Sequence, residues 1–126
     1  VIDNIVGALA LIVLGTLIAW SSRRAVRPDV DPQRCPGIRT PTTMASREAW
    51  LTGHRAIAPA MFWLGATLTT TGNVVLVWVL TAEPTKSQVE RVVIISGVIM
   101  TVVLAVLAVI AHRAIRAAEE KETQTD

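Results

Sequence analysis

Residues 57–80 read IAPAMFWLGATLTTTGNVVLVWVL, 24 residues without an Asp, Glu, Lys, Arg or His. Coiled as a helix at about 1.5 Å per residue, such a run covers about 36 Å, more than the hydrocarbon core of a bilayer at about 30 Å. Two further uncharged runs flank it. Residues 92–111 supply 20, and residues 5–20 supply 16, with Val1 and Ile2 upstream and Ser21 and Ser22 downstream to lengthen the latter. A soluble domain this small could not cover three helices that are apolar all round, whereas lipid can. The composition agrees, with 52% hydrophobic residues and a mean hydropathy of +0.50.

The expected architecture is therefore all-α: an integral membrane bundle of three transmembrane helices, forming one domain over 1–126. The spans fall at about 1–22, 57–80 and 92–112, with a loop at 23–56 and a tail at 113–126. The first run lacks a basic leader and a small-x-small cleavage site before Trp20, so it reads as a span and not as a signal peptide.

Basic residues set the orientation. Seven of the twelve Lys and Arg lie in the first loop, three in the tail, and two, Lys86 and Arg91, in the short second loop. Basic residues beside spans are retained in the cytoplasm, which predicts an external N-terminus, a cytoplasmic long loop and a cytoplasmic C-terminus. The loop carries a net charge of +4, from seven basic and three acidic residues. It serves as a topology signal, and it is also drawn to anionic lipid headgroups. It has no aromatic interleaving and no module for nucleic acid. Cys35 is the single cysteine, so no internal disulfide is possible, and it reads as a reduced, neutral surface residue.

Pro28, Pro32, Pro36 and Pro41 exclude a regular helix in the first half of the loop. Thr43 is the expected N-cap of a short juxtamembrane helix to about Gly53, with Gly53 and Pro59 marking a bend or a restart before the second span. On that helix Thr43, Arg47, Trp50 and His54 would form one polar-aromatic stripe. In the second span Thr67, Thr69, Thr70, Thr71 and Asn73 gather near the middle. Thr69 and Asn73 are the expected intramembrane polar contacts. Asn73 is expected to face another helix, either as packing or as a ligand contact. Thr85 or Ser87 can cap the third helix, whose end carries His112, Arg113 and Arg116 before a solvated, frayed tail.

None of the three apolar runs, 5–20, 57–80 and 92–111, holds an ionisable residue, which argues against an ion-coupled carrier. His54 and His112 lack partners at metal-ligand spacing, and no nucleophile, phosphate-loop or zinc-hydrolase motif is present. The expectation is a non-enzyme with no cofactor, no metal and no catalytic residue.

One segment carries a specific pattern: PGIRTPTT at 36–43, EAW at 48–50 and GHR at 53–55. Gly37 permits a tight backbone after Pro36. Arg39 offers a planar fork to phosphate or carboxylate, or alternatively to carbonyls of its own loop. Thr40 and Thr43 supply hydroxyls, Trp50 can lie at the interface, and His54 and Arg55 can point to headgroups. These residues, between the first and second of three spans, resemble the signature of the SdpI family of small bacterial membrane proteins. The resemblance implies a plasma-membrane protein conferring immunity to a secreted antimicrobial peptide, or signalling by sequestering a transcriptional repressor. The alternative from the residues alone is an accessory subunit of a larger membrane complex. Gly15, Gly65, Gly72 and Gly97 would allow close packing against partner subunits or further copies of the chain.

Overall fold

A computed structural model of the chain describes residues 2–125, excepting the side chain of Thr125. Three helices account for most of it: α1 (Ile2–Arg24), α2 (Arg47–Ala82) and α3 (Lys86–Thr125). All three are long and apolar enough to cross a membrane, and no strand occurs among the described residues. The 23 residues of α1 extend about 35 Å, close to one bilayer crossing. The 36 residues of α2 and 40 of α3 extend about 54 and 60 Å. Both therefore project beyond the apolar layer on the side of the long loop, and the site is built there.

The helix boundaries follow local chemistry. Ser46, not Thr43, caps α2: its backbone is extended (φ −157°, ψ 166°) and its hydroxyl accepts from Ala49 N–H at 3.0 Å. The separate juxtamembrane helix does not form. Residues 47–56 are the first turns of α2, which runs on through Gly53 and Pro59. Gly53 packs against α3, where a Cβ would lie 3.0 Å from Ile115 Cδ1. Pro59 is tolerated within the helix, as prolines often are in membrane helices. Glu83, in the left-handed region at φ 46°, ends α2. Thr85 then opens α3 through a reciprocal cap. Gln88 N–H donates to Thr85 Oγ1 at 3.2 Å, and Thr85 N–H donates to Gln88 Oε1 at 3.0 Å. The expected frayed tail is helical through Thr125, so Arg113 and Arg116 lie within α3 and not at its end.

α1 and α2 pack backbone to backbone. A Cβ on Gly15 would fall 2.5 Å from Thr69 N, and one on Gly65 would fall 2.5 Å from Gly15 O and Ala19 N. Such approach needs residues without side chains. α3 lies against this pair near its two ends. Val89 joins Ala8, Val75 and Val79 beside the short turn, while Leu107 and Ala111 join Ile57 and Met61 toward the long loop. Between them α3 is open, and a Cβ on Gly97 would meet nothing within 4 Å. At the short-turn end Asn4 Nδ2 donates to Pro84 O at 3.1 Å and Lys86 pairs with Asp3 at 3.6 Å.

Candidate functional site

The projecting turns of α2 carry Trp50 and His54 one turn apart, and the long loop folds down onto them. Trp50 is fully buried among Ala25, Val30 and Cys35, and its Nε1–H donates to Ala25 O, just past α1, at 3.0 Å. His54 stacks on it, with ring centroids 3.9 Å apart and planes inclined by 22°. His54 Nε2 receives the Ile38 backbone N–H at 3.1 Å, and Nδ1 lies 2.9 Å from Trp50 O. A backbone N–H can only donate and a carbonyl can only accept. The ring is therefore neutral, with its proton on Nδ1. His54 precedes the apolar run 57–80, and burial pushes its pKa below the usual 6.5, against the raising effect of the Trp50 carbonyl.

Gly37 makes this contact possible. A Cβ there would fall 2.6 Å from His54 Nε2 and 3.1 Å from Trp50 Cη2. Next along the loop, Thr43 is completely buried. Its hydroxyl donates to Ile38 O at 2.8 Å and accepts from Thr40 N–H at 2.9 Å, closing the turn between them. Thr40 Oγ1 then reaches His112 Nε2 of α3 at 2.7 Å. The loop is thus bonded to α2 twice, at its start through Trp50 and at Ile38 through His54, and to α3 through His112. We call this arrangement the latch.

Six of the seven motif residues lie in or beside this loop fold, but several play other parts than their sequence suggested. Trp50 and His54 face inward and hold the loop, where an interfacial position toward headgroups was expected, because the loop covers them. Arg39 turns its fork to its own loop, one of the two arrangements its sequence left open: Nη1 donates to Cys35 O and Nη2 to Gln33 O, both at 3.4 Å. Thr43 lies in a turn and forms no helical stripe with Arg47, which is exposed and donates to Pro28 O. Arg55 is exposed and stands outside the network. Cys35, expected at the surface, is 2% exposed, and burial raises its thiol pKa while Arg24 and Arg39 partly oppose the shift. His112 was not foreseen as a partner. Its only signal was its position as a lone histidine ending the third apolar run.

Within the membrane, Thr69 Oγ1 donates to Gly65 O at 2.9 Å and lies 3.5 Å from Thr16 Oγ1 of α1. Asn73 departs from expectation. Its amide donates to Thr69 O of its own helix at 2.9 Å, and the side chain is exposed on the helix surface. A short amide can fold back onto the preceding turn as threonine does, so it needs no second helix for that bond. Among the described residues no group of three His, Cys, Asp or Glu is placed to hold a metal.

Fold and site together define a multi-pass helical membrane protein whose first connector is latched to the second and third helices by a polar motif. Residues 30–112, covering the motif, the second helix and the third as far as His112, match the sequence model of the SdpI/YfhL protein family. The chain belongs to that family. No curated protein and no solved structure gives a significant match.

Proposed function

We propose that this chain is a bacterial plasma-membrane protein of immunity and signalling. It would protect against a membrane-active antimicrobial peptide and pass its presence to a cytoplasmic partner such as a transcriptional repressor. Family membership supports the reading, and the observation that carries it is the latch. Because Trp50 and His54 tie the loop to α2 and His112 ties it to α3, a shift of either helix reaches the loop directly. A peptide meeting the short turn or the exposed polar face around Asn73 would thereby alter the surface offered to the cytoplasm. The charge distribution supports an orientation with the N-terminus outside and the loop and C-terminus inside. No catalytic step is assigned. Cells with and without the chain should differ in survival under secreted membrane-active peptides. Equal survival across a broad peptide panel would remove the immunity reading.

A second reading, an accessory subunit of a larger membrane complex, draws on α3. Ile94, Ile95, Val98, Ile99 and Val102 are all more than half exposed, and Gly97 is open to close approach. Stoichiometric co-purification with a larger assembly in mild detergent would favour it, and a lone chain or homo-oligomer would not.

A further inference from the structure

The latch leaves part of the loop unused. Between the end of α1 and the segment 27–35 lies a cavity of about 250 Å³. Arg24, Arg27 and Arg34 line it, with Asp29 and Asp31. Asp31 is engaged: its Oδ2 pairs with Arg34 at 3.7 Å and its Oδ1 accepts from Gln33 N–H at 3.0 Å. Arg24 and Arg27 have no side-chain hydrogen bond or ion pair among the described residues. The guanidinium of Arg24 instead lies over the Trp20 ring, 5.1 Å from its centroid. Its neighbour Arg23 lies over Phe62 of α2 at 4.5 Å. Two aromatic rings therefore hold two arginines where the apolar part of α1 ends, the depth at which tryptophan meets lipid headgroups. Below Trp20, toward the bilayer centre, Val13, Leu14 and Leu17 are exposed on α1.

We propose that this cavity binds the headgroup of one anionic phospholipid from the leaflet on the loop side. The phosphate is taken by Arg24 and Arg27, whose forks match its oxygens. The acyl chains lie along the exposed apolar surface of α1 beneath Trp20. Asp29 would repel a phosphate but accepts from hydroxyls, which favours a hydroxyl-bearing head such as phosphoglycerol. The site is independent of the functional reading above. It uses none of the latch side chains, and an immunity test does not bear on it.

The test uses the full chain in mild detergent, titrated with phosphatidylglycerol or phosphatidylcholine and followed by native mass spectrometry. One phosphatidylglycerol should be retained in preference to phosphatidylcholine. Arg24→Gln with Arg27→Gln should weaken that retention about 30-fold. Arg113→Gln with Arg116→Gln, removing the same charge from α3, should leave it within about twofold. Equal losses in both pairs would reduce the effect to general surface charge and overturn the site, as would undiminished retention in the first pair. Inorganic phosphate at millimolar concentration should not displace the lipid. Displacement would identify a soluble-anion site and overturn the lipid assignment. A photoactivatable phosphatidylglycerol on the unmodified chain gives a second reading that does not depend on variant folding. Adducts within residues 13–34 support the site, and adducts confined to residues 113–121 overturn it.

Discussion

Gly37 and His54 meet at a single point, and the loop is fixed there. Any side chain at Gly37 displaces the loop from Nε2 of His54, because a Cβ would stand 2.6 Å from that nitrogen. Gly37→Ala is expected to destabilise the protein by about 1–3 kcal/mol, the cost of leaving the Ile38 N–H without its acceptor. Thermal unfolding in detergent measures this, and faster thiol labelling of the buried Cys35 should accompany it. The same bond makes the loop sensitive to pH. His54 must be neutral to accept from Ile38, and its pKa in the folded chain lies below the 6.5 of a free imidazole. Unfolding therefore takes up a proton, so the contribution is complete above about pH 6.5 and is lost as pH falls through the lowered folded value. Amide exchange at Ile38, corrected for its intrinsic rate, should accelerate over that range. His54→Gln should abolish the change, since an amide oxygen accepts without titrating. Protection that stayed constant in the unmodified chain would remove His54 as the acceptor. These residues were visible in the sequence as a motif, but their burial was not. Trp50 and His54 are equally compatible with an interfacial face until the proline-rich loop is known to return over them.

At the scale of the helices, the three apolar runs announced the spans because lipid tolerates uninterrupted hydrophobic surface. Their ends were less readable. Thr43 and Ser46 are both competent caps three residues apart, and the choice fell to Ser46 because Thr43 is occupied by Ile38 O and Thr40 N–H. Gly53 and Pro59 suggested a break, but α2 runs on through both, with Gly53 packed against Ile115 of α3. The glycines also separate into two kinds that composition alone cannot distinguish. Gly65→Val would push a side chain into the backbone of Gly15 and Ala19, and it should destabilise the bundle by about 1–3 kcal/mol or more. Gly97→Ala enters open space, and its better helix propensity should make it neutral or stabilising by about 0.5–1 kcal/mol. Unfolding of both variants in the same detergent decides the matter. Comparable destabilisation would place an unseen partner at Gly97.

For the molecule as a whole, the question is whether loop and helices move as one body. α1 and α2 are joined along their glycine contact, while α3 touches them near its two ends, so α3 has the least to restrain it. Its polar tie to the loop is Thr40 Oγ1 to His112 Nε2. Thr40→Val removes that hydroxyl and keeps the branched shape. It should free the loop from α3 while Trp50 and His54 still hold it to α2. Spin labels at the exposed positions Ala45 and Ala117, in a Cys35→Ala background, should report a broadened distance distribution in Thr40→Val. A pair spanning α1 and α2 should keep its distribution. Labelling the same positions in intact cells also checks the orientation: a cysteine at Ala45 should be shielded from an impermeant thiol reagent, and one at Ser87 should react. If the α3 distribution stays narrow in Thr40→Val, the apolar contacts around Leu107 and Ala111 are enough to hold the helix. A signal passing from α3 to the loop would then have to travel through packing, and the hydrogen-bonded route through His112 would be lost as its carrier.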